Sequence, residues 1–296
     1  MEGTMRCESL IRRRLVSHGL CLLAVASWAL ADEPTPEQLA EEQGRNRVQV
    51  LTGSQRTPEA IDQIYAVMPP VRHTPPEDRW RHLPRTARKL RERGPFNLVM
   101  LGDSIINDTS RSSFEHLLNR EYEGLDLRKI TLVRGSTGCW FYRQADRVGR
   151  YLLPWQPDLV VIGGISQRDD CESIEAVIDQ VRAGRPTCEF LLLSPTFGRI
   201  DPNDPESWNA SIDLAGNDYR ARLARLAVDQ RCAFLDMTSA WGQYIRSVHG
   251  ERPLDSFKRD AVHANEQGEQ ILGRILAGFL SIAPAVSTVS QPELDL

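Results

Sequence analysis

FNLVMLGDSIIND (Phe96–Asp108) is the stretch that decides how the rest of the chain is read. Five of its first six residues are apolar, and the run breaks at Gly102 before Asp103 and Ser104. A short apolar run ended by glycine predicts a strand buried on both faces, with a turn at its carboxyl end. Ser104 then stands either as an ordinary turn residue or as a nucleophile held up at a strand end. The rest of the sequence contains the partners that decide between the two.

Downstream, short apolar runs alternate with longer helical patterns. The predicted strands are Asn97–Leu101, Lys129–Val133, Asp158–Ile162, Glu189–Leu193 and Ala233–Asp236. Between them, Ser112-Ser113-Phe114-Glu115 reads as a capping box that opens a helix stopping near Gly124. Ile174, Val177, Ile178 and Val181 form a helical stripe closed by Gly184, and Asp169-Asp170 reads as its cap. Leu223, Leu226 and Ala227 mark another helix, and Ile271, Leu272, Ile275, Leu276 and Phe279 mark the last. This alternation predicts an α/β fold: a flavodoxin-like, three-layer α/β/α arrangement around a five-stranded parallel sheet.

Ligands of such sheets bind where loops leave the carboxyl ends of the strands. The residues there are Gly102-Asp103-Ser104, Gly135-Ser136-Thr137-Gly138, Gly163-Gly164-Ile165-Ser166-Gln167 and Ser194-Pro195-Thr196. The loop before the last helix carries RDAVHANEQG, Arg259–Gly268. A serine hydroxyl needs an imidazole to take its proton, and the imidazole needs an orienting acceptor. His263 follows Asp260 by three residues, close enough for the carboxylate to reach Nδ1 and leave Nε2 for Ser104. An oxyanion would take donors from the Ser104 amide, from Gly138, where the missing Cβ allows close backbone approach, and from the Gln167 side chain. Asn107 is an alternative donor, read here as part of the turn. Singly these motifs are common turns; their joint placement at strand ends points to a serine hydrolase.

This set resembles the SGNH, or GDSL, hydrolases, in order over residues 96–281. LGDSI is similar to the first block, RGSTG loosely to the second, DLVVIGGISQ to the third and DAVHANEQG to the fifth. The resemblance implies Ser104 as nucleophile, Asp260 and His263 as its partners, and Ser104 and Gly138 as amide donors. It also implies hydrolysis of oxygen esters or thioesters through an acyl-serine, without metal or cofactor. The third block departs from the family, which has Gly-x-Asn-Asp there; Gln167 stands near the asparagine position with an added methylene.

The first residues read differently. Arg12-Arg13-Arg14 precede the apolar run Leu20–Ala31, which ends in the small-x-small pattern Ala29-Leu30-Ala31. Residues 1–31 read as a cleaved secretory signal, so the chain is expected to be exported, to the periplasm or beyond, without stable membrane insertion after cleavage. An uncleaved anchor is the alternative, although the run falls short of the roughly 20 apolar residues a spanning helix needs. Loss of that segment moves the net charge from −4 to −6, a balance that argues against nucleic acid as a partner. Residues 32–95 read as a helical, proline-rich extension on the hydrolase domain of 96–283. Thr35 and Thr57 are candidate helix caps, Met68–Asp78 an extended linker and 284–296 a flexible tail.

Four cysteines lie beyond the leader. Sheet topology brings Cys188 near Cys232 at the amino edge and Cys139 near Cys171 in the loops at the carboxyl edge. Two disulfides are expected on that basis, with four buried thiols as the alternative. Export and an acidic domain suit an esterase that deacetylates a carbohydrate. A lipase, lysophospholipase or thioesterase, an acyltransferase, and a binding protein with weak catalysis remain open on the same residues.

Overall fold

The computed structural model describes residues 47–197, 200–212 and 218–282. The predicted leader, the helix start at Thr35 and the tail 284–296 lie outside the described residues. In chain order the elements begin with β1 (Gln49–Thr52), α1 (Pro58–Ala66), a 3-10 turn (Glu77–His82) and α2 (Pro84–Glu92). The first parallel unit is β2 (Pro95–Gly102), α3 (Ser104–Arg111), α4 (Glu115–Glu121) and β3 (Asp126–Val133). Next come the short α5 (Cys139–Tyr142), β4 (Leu159–Ile162), α6 (Cys171–Gly184) and β5 (Glu189–Leu193). The chain continues through α7 (Pro205–Ile212), α8 (Tyr219–Asp229), β6 (Ala233–Leu235), α9 (Met237–Val248) and α10 (Glu266–Leu280).

The five predicted strands all form and run parallel, in the order β3-β2-β4-β5-β6. The sequence of β2 explains why it is central. Leu98 and Met100 face one apolar layer with α2, α4, α9 and α10, while Val99 and Leu101 face the other with α5, α6 and α8. Each of these wholly buried side chains contributes about 1.5–3 kcal/mol relative to exposure. The helical stripe of Ile174, Val177, Ile178 and Val181 is fully buried, and the Asp170 carboxylate caps α6 by accepting from the Ser173 amide at 2.9 Å. The Thr57 hydroxyl likewise caps α1, accepting from the Ala60 amide.

The sheet has a sixth strand that the sequence pattern did not announce. β1 pairs antiparallel with β3, with Gln49 opposite Val133. It is largely exposed, and an edge strand without a buried face carries no alternation to read. Ile61, Leu83 and Leu90 are wholly buried, so residues from 47 onward are built into the same sheet and core as those after Phe96. The capping box does not form. Ser113 has a left-handed backbone (φ 55°), and its hydroxyl accepts instead from the Gln55 and Arg56 amides, fastening the β1–α1 connection.

Neither expected disulfide forms; all four cysteines are free. The Cys188 thiol donates to the Glu189 carbonyl and the Cys232 thiol to the Gln230 carbonyl. Cys139 is wholly buried in the apolar layer against α6, where burial pushes its thiol far up. Among the described residues no helix is long and apolar enough to cross a membrane.

Candidate active site

The turn that carries Ser104, the candidate nucleophile, is set at the end of β2. Asp103 is the N-cap of α3, its carboxylate accepting from the Ile105 amide at 2.9 Å. Its other oxygen accepts from the amides of Ile165 and Ser166, at 2.8 and 2.7 Å, and so ties this turn to the loop after β4. Gly164 makes the contact possible. Its φ is +103°, and a Cβ there would fall 2.5 Å from the carboxylate. Asp103 is wholly buried and places Ser104 as the first residue of α3, where a main-chain N–H has no intrahelical acceptor.

The loop between α9 and α10 carries His263, the candidate base. Lys258 bridges Ala264, the Arg259 amide donates to the His263 carbonyl and the Asn265 amide to the Phe257 carbonyl, closing the loop on itself. Asn265 then caps α10 by accepting from the Gln267 and Gly268 amides. At the loop tip, His263 Nε2 lies 2.8 Å from Ser104 Oγ. Its Nδ1 lies 2.9 and 3.0 Å from the two Asp260 oxygens, which requires Nδ1 to carry the proton. The Asp260 carboxylate also accepts from the Val262 and His263 amides. Those two amide bonds, followed by the imidazole, hold its carboxyl well below the usual range. The three side chains chosen from sequence spacing are therefore in one hydrogen-bonded line, at a partly open surface: His263 is 26% and Asp260 51% exposed.

Gly138 also sits where it was expected, in the loop after β3, as the N-cap of α5. A Cβ there would come within 2.5 Å of Gln167 Oε1, so the loops after β3 and β4 touch at this glycine. Gln167 itself is differently employed from the expected oxyanion donor. It is 2% exposed, its Oε1 accepts from the Cys139 amide at 2.8 Å and its Nε2 donates to the Gly163 carbonyl at 2.9 Å. The added methylene lets the amide fold back onto its own loop. There it clamps the Gly138–Cys139 peptide in place.

A pair that sequence reasoning passed over, Asp108 and Arg259, stands behind this line. Asp108 is wholly buried, one turn beyond Ser104 on α3, and accepts from the Ala264 amide at 3.0 Å. It pairs with Arg259 at 2.8 Å, so it binds both ends of the base loop. Burial raises its carboxyl, against the opposing pull of Arg259, the Ala264 amide and His263. The spacing of four residues from Ser104 would have revealed it had Ser104–Arg111 been read as a helix. After Ile105 and Ile106 that segment is wholly polar, NDTSR (Asn107–Arg111), and gives no apolar stripe.

No family model and no curated protein sequence matches the chain. Among solved structures, the chain is similar to a two-domain esterase active on acetylated mannans, at 17% identity and a TM-score of 0.54. That alignment covers 72% of this chain and 56% of the other. It is also similar to a catalytic mutant of an acetylxylan esterase from Geobacillus stearothermophilus, at 16% identity and a TM-score of 0.50, over 64% and 96% of the two chains. A GDSL-like lipase from Parabacteroides merdae aligns at 16% identity and a TM-score of 0.49, over 64% and 97%. The first two likenesses show a shared fold.

Proposed function

We propose that the chain is a serine esterase of the SGNH type that removes small acyl groups, acetyl foremost, from a carbohydrate. The observation that carries the reading is the 2.8 Å contact of His263 Nε2 with Ser104 Oγ, with Asp260 on the opposite ring nitrogen. In this reading Ser104 Oγ attacks the ester carbonyl while His263 takes its proton. Asp260 stabilises the resulting imidazolium and keeps the ring in the productive tautomer. The oxyanion is met by the amides of Ser104 and Gly138. As the intermediate collapses, the C–O bond breaks and His263 returns the proton to the departing alcohol. A water, deprotonated by His263, then attacks the acyl-serine, releasing the carboxylic acid and regenerating Ser104.

Two features favour a carbohydrate over a lipid ester. The triad is partly open to solvent, which suits the side of a polymer. Large exposed apolar side chains among the described residues are limited to Val50, Val67, Ile165 and Val228, and only Ile165 belongs to a loop of the site. Of the solved structures whose fold the chain shares, one is an esterase active on acetylated mannans and the other a catalytic mutant of an acetylxylan esterase. Export belongs to the same reading through the leader pattern of residues 1–31, although the free thiols lend it no support. Turnover of p-nitrophenyl esters from acetate to palmitate, with acetate release from acetylated xylan and mannan, tests the assignment. A maximum at acetate with release from a glycan is expected; a maximum at long chains, with no glycan release, would refute it.

A further inference from the structure

The net acidic charge of the chain conceals a strongly basic segment. Residues 79–93 hold six arginines and one lysine against a single acid, Glu92. The fold exposes five of the six arginines; Arg79 instead donates to the Phe279 and Ser281 carbonyls. On α2 the buried residues are Thr86, Ala87 and Leu90, while Arg85, Arg88 and Arg91 project from the opposite side of the helix. The guanidinium groups of Arg81, Arg85, Arg91 and Arg93 have no ion-pair or hydrogen-bond partner among the described residues. Arg88 reaches only Glu92, at 3.9 Å, with both side chains more than half exposed.

Neighbouring elements extend the charge. A cavity of about 190 Å³ is lined by Arg85, Arg88, Lys89 and Arg185, together with Thr86, Thr187 and Asp158. Asp158 is already engaged by Lys89 at 2.8 Å and Arg185 at 3.4 Å. Glu189, which opens β5, is buried and spent on the Arg85 and Thr86 amides at the start of α2, which leaves Glu92 and Asp126 as exposed acids at this end of the sheet. What faces solvent is therefore an excess of cations around a notch. Asp158, Arg185 and Glu189 all precede or open their strands, so this face lies at the amino ends of the sheet. Ser104 and His263 lie at the carboxyl ends, about 25 Å away along the eight residues of β2.

We propose that this face is a docking surface for an acidic polysaccharide, a polymer of repeating carboxylate or sulfate groups, which holds the enzyme on its matrix while leaving the active site free. Unpaired guanidinium forks match such oxyanions in pairs of hydrogen bonds and lose little hydration on binding. A membrane surface fits less well, since the outer face of α2 carries no aromatic or long apolar side chain to insert beneath the headgroups. The choice of a polysaccharide over another polyanion rests on the esterase reading above; the charge and its placement do not.

The test uses the full chain and the variant Arg85→Glu/Arg88→Glu/Arg91→Glu. Binding is measured to polygalacturonate, neutral xylan, phosphatidylglycerol vesicles and duplex DNA, at about 50 and about 200 mM salt. The wild type is expected to bind polygalacturonate in preference to the other three and to release it at the higher salt. The variant is expected to bind at least about tenfold more weakly, with p-nitrophenyl acetate turnover unchanged. Equal binding by both proteins, no binding to polygalacturonate, or a preference for vesicles or DNA would overturn the proposal. Loss of ester turnover in both proteins would refute the esterase reading and leave the binding result to stand or fall separately.

Discussion

The two sides of the site are held in opposite ways. On the base side, the reacting groups are partly exposed and are held by buried carboxylates behind them: Asp103 under Ser104, and Asp108 under the His263 loop. On the oxyanion side, the supporting group is a neutral buried amide, Gln167, which joins two loops and points its polar ends at main chain. A charge behind an open site fixes position through strong, directional bonds from several amides. An amide behind a glycine fixes a peptide through packing as much as through hydrogen bonds. The base side should therefore fail chemically when altered, and the oxyanion side should fail structurally as well.

The largest effect belongs to the base side. Ser104→Ala and His263→Ala should each lower kcat by about 10⁴-fold or more with Tm little changed. The double variant should lose hardly more than either alone, because the two act as one unit. Additive losses in the double variant would separate them and break the comparison at its root.

Next is the glycine–glutamine contact. Gly138→Ala puts a methyl 2.5 Å from Gln167 Oε1, so one loop must shift. Turnover is expected to fall by about 10²–10³-fold, the size of one lost oxyanion donor. Gln167→Ala removes two buried hydrogen bonds and should cost about 1–3 kcal/mol in urea unfolding, with a smaller loss of kcat than Gly138→Ala. If Gln167→Ala instead matched the kinetic loss of Gly138→Ala at unchanged stability, Gln167 would be a donor after all.

Asp108 separates position from charge. Asp108→Ala leaves the Ala264 amide without its acceptor and takes from Arg259 one of two carboxylate partners, Glu269 at 3.5 Å remaining, and should destabilise the fold by about 1–3 kcal/mol. Asp108→Asn keeps an acceptor for the Ala264 amide and lifts the burial penalty on the charge. It should retain most stability while lowering kcat by about tenfold, with KM unchanged. An Asp108→Asn enzyme with full turnover would show that the Ala264 contact alone aligns His263.

The smallest effect is a pH dependence. Asp260 has a folded-state carboxyl depressed below its unfolded value, so its contribution to stability is present above the ordinary carboxylate range. It is lost only as pH falls through the lower folded value. The Tm difference between wild type and Asp260→Asn should therefore be constant from about pH 7 to about pH 5 and close only below about pH 4. Closure of the gap between pH 7 and 5 would mean that the carboxylate is not held as described.

Legibility from sequence follows the same division. β2 and its four parallel partners were readable because strands covered on both faces are continuous apolar runs. The juxtaposition of Ser104, His263 and Asp260 was readable because strand-end placement and a three-residue spacing are local properties. What escaped depends on contacts far apart in sequence. β1 is short and largely exposed, and α3 has no apolar stripe because its buried polar side chains bond to distant partners, as Ser110 does to Thr131. Ser113 had the chemistry of a cap, yet its hydroxyl serves amides 57 and 58 residues away. Gln167 had the chemistry of a donor, and only the position of the Cys139 amide reveals its use. Cysteine pairing was inferred from neighbouring strands, which places chains near one another but does not orient their thiols.

The central claim is that Ser104 is the nucleophile activated by His263. Intact-mass analysis after treatment with a fluorophosphonate tests it directly. One adduct per chain is expected, located on the Ser104 peptide, abolished in Ser104→Ala and strongly slowed in His263→Ala. Labelling of the Ser104→Ala protein at the wild-type rate, with ester turnover intact, would contradict it.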